Sequence, residues 1–360
     1  MNLEMLKLER QILSSKKFSR LQQISLVVDH MRVKDSAQTR ASHSIEVANS
    51  VEIMNYFITK KAGFNTDRFS CGRVVGLLHD IGHTSYSHEG EKTLNKLTKK
   101  YSDNKIGFEG NANNYITIQK NNLLKGVSEE VKEYILASLA KHKEDLYEEQ
   151  SCLIDIINNQ INLEIEYLLN QGLEITSMDK TLQCQIMDIA DENSYIISDI
   201  VDSLNIFSLT KLAEIFQKEL PFEISEDLIK ALYKGHNSFR MTLQKYHDMF
   251  CENFYLDSTG VVKPEKKDIE QVRMIMAMIS KKYILKEKTV VKSRKIISKK
   301  INIVFSFFFN LKNANRIPSK FYRKEFENAS AKEEKIVIIR NMLGSLTNKG
   351  LLKEFKKITR

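Results

Sequence analysis

The chain of 360 residues has no tryptophan, only three prolines and 13 glycines. So few breakers leave little to interrupt helices. Its four cysteines, Cys71, Cys152, Cys184 and Cys251, lie far apart and form no Cys-x-x-Cys pair. That spacing argues against a disulfide framework and a cysteine zinc site, and fits a reducing cytoplasmic location. The longest apolar run, Ile301 to Phe309, is far shorter than the ~20 residues of a bilayer span. The start, Met1 to Lys7, reads as an amphipathic segment rather than a secretory signal. A Gly-x-x-x-x-Gly-Lys phosphate loop and a Gly-x-Ser-x-Gly nucleophile elbow are both missing. Any phosphate would therefore be held by a metal or by cationic side chains, and covalent catalysis is the weaker expectation.

What is present is helical periodicity. Ile45, Ala48, Val51, Met54, Phe57 and Ile58 follow the three-four spacing of a buried face over 43–60. Val74, Val75, Leu77 and Leu78 predict a short apolar helix running into His79. Ser128, with Glu129 and Glu130 behind it, predicts a capped helix carrying Val131, Ile135 and Leu139. Further helices are expected over 183–203, 208–219, 226–235, 240–254, 267–285 and 332–356. Loops are expected over 100–125 and 255–266, and 301–309 reads as either a strand or a buried helix. The fold class is all-α, with a core over 1–255 and a basic, mostly helical C-terminal subdomain over 256–360 that could hold a short strand.

Net charge is +9, but Lys281 to Glu325 alone carries 14 Lys/Arg against two acids, leaving the remainder slightly acidic. Such a field attracts phosphates, whether on a nucleotide or a nucleic acid, and a solvated basic surface is the plainer reading.

The most distinctive run is Leu77-Leu78-His79-Asp80-Ile81-Gly82-His83, followed closely by His88 and Glu91. An adjacent His-Asp pair offers an imidazole nitrogen and a carboxylate oxygen, a donor set that suits a divalent metal. His43, at the head of a patterned helix, is a candidate partner, though a lone histidine there is more often core or cap. Asp191, Tyr195 and Asp199 are spaced four and four, so they share one helix face. That face suits a ligand aspartate followed by groups that hold a polar substrate, or else a helix–helix hydrogen-bond network. His88 and Glu91, three apart, form a possible acid pair or an exposed pair of little energetic weight. Arg40 is the best-placed cation for phosphate oxygens.

The order His43, His79-Asp80, Asp191 resembles the H…HD…D signature of the HD-domain metal-dependent phosphohydrolases. The segments Thr39 to Ala48, His79 to Glu91, Gly107 to Ala112 and Ala190 to Tyr195 with Asp199 narrow the likeness to deoxyguanosine triphosphate triphosphohydrolases. Phe18 to Gln23 resembles that family's N-terminal Arg-Leu-Gln element, and Arg340 to Asn348 a degraded C-terminal one.

The resemblance implies an HD-domain helical bundle with additional helices. It also implies hydrolysis of a dNTP, dGTP or others, to deoxynucleoside and inorganic triphosphate. By match, His43, His79, Asp80 and Asp191 hold one divalent ion (manganese, magnesium, iron or similar), and a further magnesium could accompany the triphosphate. His88 would protonate the leaving 5′ oxygen with Glu91 orienting it; Arg40 and His83 would contact phosphate oxygens; Tyr195 and Asp199 would hold the sugar. A homo-oligomer and a nucleotide or single-stranded nucleic-acid effector also follow from it. Departures lie away from the metal ligands. Ile24 to Val27 replaces Lys-Thr-Gln-Val, putting Leu26 where a Gln is usual. Ser198, Met342, Asn348 and Ile116 replace a His, a Tyr, an Asp and an Arg. The alternatives are an HD phosphohydrolase acting on another nucleotide, and a nucleic-acid-binding regulatory protein using the basic C-terminal region.

Overall fold

A computed structural model describes residues 3–26, 38–64, 70–104, 107–147 and 150–359. Val27, the last residue of the departing N-terminal element, lies outside the described residues. The described chain is almost entirely helical, with one two-stranded antiparallel sheet, Phe254–Leu256 against Val262–Pro264. Among the described residues no helix is long and apolar enough to cross a membrane. The four cysteines are unbridged.

The chain divides into two compact units, each assembled from three stretches. The first comprises 1–15, 42–79 and 122–288. One of its cores is built on Leu212, Phe216, Leu228, Phe239, Phe250 and Met276, carried by the helices Leu209–Glu219, Phe222–Lys234, His236–Glu252 and Lys267–Ile279. Each of these helices has an apolar stripe at three-four spacing, which is why the sequence pattern locates them. The second unit comprises 16–41, 80–121 and 289–360. Its core is aromatic: Phe108, Phe305, Phe308 and Phe326 meet Leu94, Leu97 and Leu343.

Within the first unit, backbone contact sets how close the site-bearing helices come. Gly76, in the Gly72–Leu78 helix, lies so near the Arg40–Ala62 helix that a Cβ there would sit 2.6 Å from the Ala48 Cα. Only hydrogen fits. Asn55 Nδ2 donates to Gln183 Oε1 at 3.1 Å, tying the Arg40–Ala62 helix to the Leu182–Asp202 helix. A second tie is His247, whose Nε2 lies 3.1 Å from Ser50 Oγ and 3.5 Å from Ser194 Oγ. These three helices carry His43, His79 and Asp191.

Several sequence expectations are corrected. The stretch 100–125 is not all loop: Gly110–Lys120 is a helix, capped by Glu109, whose carboxylate accepts from the Asn111 amide. Its asparagines mask the pattern, but Ala112, Tyr115 and Ile118 bury one face at helical spacing. The stretch 255–266 is not all loop either: 255–256 and 262–264 are strand, and only 257–261 is the hairpin turn, where Asp257 Oδ1 accepts from the amides of Thr259 and Val261. The run 301–309 ends the helix Lys288–Phe309, with Ile301, Val304, Phe305 and Phe308 facing the aromatic core. The helix expected over 332–356 is two, Lys332–Gly344 and Asn348–Thr359. The Ser128 cap is as expected: its hydroxyl accepts from the Val131 amide.

Candidate metal centre

In the first unit His43, His79 and Asp191 converge, their donor atoms all within 4.8 Å of one another. His43 stands early in the Arg40–Ala62 helix, His79 caps the Gly72–Leu78 helix, and Asp191 is midway along Leu182–Asp202. His43 Nε2 lies 2.8 Å from Asp191 Oδ1, and His79 Nε2 lies 3.4 Å from the same oxygen. Both imidazoles are buried, and the Asp191 side chain is 13% exposed.

The donor set fits a divalent ion. His79 Nδ1 donates to the Gly76 carbonyl at 2.6 Å. That bond orients the ring so that Nε2 faces Asp191, where it can serve as a metal donor. Two imidazoles and one carboxylate at this spacing form a site for a borderline or hard divalent cation with positions left for water and substrate. Burial opposes ionisation of Asp191. The Lys141 charge, the His79 charge and hydrogen bonds from the two histidines outweigh it and hold its carboxyl well below the usual range. The carboxylate is therefore ready as a ligand at neutral pH. Lys141 pairs with Asp191 Oδ2 and lies 3.5 Å from Asp188, which Lys180 also engages.

Tyr195 packs on His43, ring centroids 4.3 Å apart. One turn on, Asp199 is buried and accepts a hydrogen bond from Ser280, at the head of the π-turn Ser280–Ile284. The four-and-four spacing thus puts Tyr195 beside a candidate ligand, while Asp199 is held by a serine from a distant part of the sequence.

The remaining predicted site residues lie in the second unit and form their own charge network. Arg40 pairs with Asp80 Oδ2, and His83 Nε2 lies 2.8 Å from Asp80 Oδ1. Glu91 pairs with His83 Nδ1 through Oε1 and meets His88 Nδ1 at 3.5 Å through Oε2. Burial and the Arg40 charge push the His83 pKa down. Glu91 and Asp80 prevail and raise it to about 9, so His83 is an imidazolium at neutral pH. Burial likewise disfavours the Glu91 anion, but His83 and His88 drive its carboxyl strongly downward. Gly110 permits this pairing, because a Cβ there would meet Glu91 Oε1 at 2.4 Å and His83 Nδ1 at 2.6 Å.

His88 itself is 69% exposed. The turn before it is strained: Tyr86 and Ser87 both take left-handed backbone angles, φ 61° and 51°. Asn348 supports the turn, its Oδ1 accepting from the Tyr86 amide at 2.8 Å and its Nδ2 donating to Ser25 Oγ at 2.8 Å. Ser87 Oγ donates to the Ser25 carbonyl and accepts from Arg40 Nε, which aims the guanidinium. Leu26 is buried beside this bridge, its amide donating to the Gln38 carbonyl.

Sequence reasoning saw the His88–Glu91 pair but missed that the main partner of Glu91 is His83. It also missed Lys141, Ser280, Asn348 and Arg20, whose guanidinium donates to the carbonyls of Ile81 and His83. A lone lysine after an apolar helix and a lone serine carry no periodic signal. Asn348 had been singled out only as a substitution.

A helical scaffold bringing two histidines and an aspartate to one point forms a cluster capable of coordinating a divalent metal, consistent with the HD-domain phosphohydrolases. No family model matches the chain. It is distantly homologous to proteins described as deoxyguanosinetriphosphate triphosphohydrolase-like. One from Rickettsia bellii is 24% identical over 271 residues, covering 73% of this chain and 63% of that protein. One from Clostridium tetani is 27% identical over 325 residues, 88% of this chain and 75% of its own. A third, from Cereibacter sphaeroides, is 25% identical over 308 residues, covering 83% and 71%. Against the Rickettsia relatives the match spans less than two thirds of their length.

Proposed function

We propose that this chain is a metal-dependent hydrolase that cleaves a deoxynucleoside triphosphate, dGTP or others, to deoxynucleoside and inorganic triphosphate. The observation that carries the reading is the His43–His79–Asp191 cluster, in a chain distantly homologous to triphosphohydrolase-like proteins. Asp80, the residue after His79, completes the ligand set by resemblance. A divalent cation there supplies Lewis acidity to a phosphoryl oxygen.

The chain's own residues do the rest. Arg40 and the His83 imidazolium hold phosphate oxygens by charge-assisted hydrogen bonds. His88 delivers a proton to the departing 5′ oxygen, and Glu91 orients it. Its exposure keeps it in exchange with water, and its Nδ1 lies 3.5 Å from Glu91 Oε2. Tyr195, packed against His43, closes the space where a 2′-hydroxyl would stand, and Asp199 accepts from the sugar 3′-hydroxyl. The working form is a cytoplasmic homo-oligomer, with a nucleotide or single-stranded nucleic acid as effector.

The test is product identity. Metal-loaded protein incubated with each dNTP should give deoxynucleoside and intact triphosphate on anion-exchange chromatography. Inorganic phosphate or a nucleoside monophosphate as the product would sink the proposed bond cleavage. His79→Ala and Asp191→Ala should lose both bound metal and turnover, whereas His88→Ala should keep metal and lose turnover.

A further inference from the structure

The second unit holds a cavity of about 410 Å³ that shares no lining residue with the candidate metal centre. Three cations line it: Lys17 and Arg20 from the Lys16–Leu21 helix, and Lys120 from the end of the Gly110–Lys120 helix. No acid is among the lining residues. Lys17 and Lys120 have no acidic partner among the described residues. The one guanidinium is engaged only by backbone carbonyls, which carry no net charge. Clustered like charges with no acidic partner among the described residues are a cost to the folded state.

The cost registers on Lys17 and Arg20. Burial, Arg20 and Lys120 together push the Lys17 pKa down. Burial lowers that of Arg20 to about 10, against an opposing contribution from Tyr322. An anion placed among them would relieve both.

Aromatic and amide-bearing side chains line the same cavity, among them Phe321, Tyr322, Asn113 and Asn341. Phe321 is 56% exposed, an uncommon position for a large apolar ring, and the Lys120 ammonium lies 6.0 Å from its centroid. Tyr322 lies beside it, its hydroxyl donating to the Asn341 carbonyl at 3.3 Å. The cavity volume falls in the range of small-ligand pockets. Cations alone would suit any anion; a flat exposed ring at the same mouth adds a surface for a planar group.

We propose that this cavity is a binding site for a small organic phosphate bearing a planar ring, the chemistry of a nucleoside monophosphate. The phosphate sits among Lys17, Arg20 and Lys120, and the ring lies on Phe321. Arg20 also holds the Ile81 and His83 carbonyls, so an occupant that draws on its guanidinium acts on that turn directly.

Calorimetric titration with adenosine 5′-monophosphate, and separately with inorganic pyrophosphate, tests the site. Both should bind saturably to wild-type protein. The Lys17→Ala/Lys120→Ala double variant should weaken both by about tenfold or more, since two charge-assisted contacts are lost. Phe321→Ala should weaken the nucleotide several-fold and leave pyrophosphate unchanged. His79→Ala should bind both as wild type does. Lys120 is exposed and Lys17 partly buried, so a thermal melt checks that the variants remain folded. The proposal is overturned if neither probe binds saturably, if the lysine variant binds as well as wild type, or if His79→Ala abolishes binding. Equal loss of nucleotide and pyrophosphate in Phe321→Ala overturns the role given to the ring.

Discussion

Lys141 and Asp191 form an ion pair through Asp191 Oδ2, while His43 Nε2 lies 2.8 Å from Oδ1 of the same carboxylate. The lysine thus engages the same carboxylate that would serve a metal. Replacing it with methionine removes a competing cation and leaves the three donors in place. Lys141→Met should bind manganese about tenfold more tightly than wild type, a change of one nearby charge interaction at intermediate dielectric. Competition with a chromogenic chelator measures it. A weaker affinity would mean that Lys141 orients Asp191 rather than competing for it.

His247 sits under the centre, between Ser50 and Ser194, and is buried. Burial alone would lower its pKa. Asp248, Cys251 and Glu46 reverse that and raise it from 6.5 to about 10. A folded-state pKa above the unfolded one gives stability that is fully present below about pH 6.5 and is lost as pH rises through 10. Urea unfolding of wild type should therefore weaken between those limits. His247→Gln should flatten the dependence, by on the order of 2 kcal/mol or more across the window. An unchanged slope in the variant would show that His247 is neutral in the fold.

Asn348 makes two buried hydrogen bonds, to the Tyr86 amide and to Ser25 Oγ, and the first supports a left-handed turn. Asn348→Ala should cost about 1–3 kcal/mol, because the Tyr86 amide is left without its acceptor. Asn348→Asp keeps the acceptor for Tyr86 and should lose less. Denaturant midpoints at constant m-value separate the two.

Gly110→Ala should force apart the His83–Glu91 pair, since the added methyl would meet both side chains at under 3 Å. NMR titration of the His83 ring should then read a pKa below the value of about 9 that Glu91 and Asp80 sustain. No change would mean the Gly110–Lys120 helix yields instead.

The helical class and most helix positions were legible because buried faces repeat at three-four spacing, as in Ala48, Val51, Met54 and Ile58, although Ile45, expected on that face, is 41% exposed. Where polar residues filled a buried helix, as Asn113 and Asn114 do in Gly110–Lys120, hydropathy misread it. Asn113 donates to the Gly82 carbonyl, and Asn114 accepts from the Gly82 amide, so both are spent on one turn. Such bonds join residues about thirty apart and leave no local pattern. For the same reason His43, His79 and Asp191 could be named as candidates, while Lys141 and Ser280 could not. The first three stand on recognisable helix faces, and the other two matter only through a side chain distant in sequence. His88 and Glu91 illustrate the opposite hazard. Their spacing suggested a self-contained pair, yet the carboxylate is shared with His83, eight residues away.

Gly76 contributes no side chain, yet two properties of the centre pass through it. Its carbonyl orients the His79 ring so that Nε2 faces Asp191, and its bare Cα lets the Ala48 backbone come close. Heritable change at this codon has few neutral destinations, since every alternative adds at least a carbon where there is room for none. A metal affinity can therefore be lost through a residue that bears no ligand, no charge and no hydroxyl. A screen for function that scans only reactive side chains would walk past it.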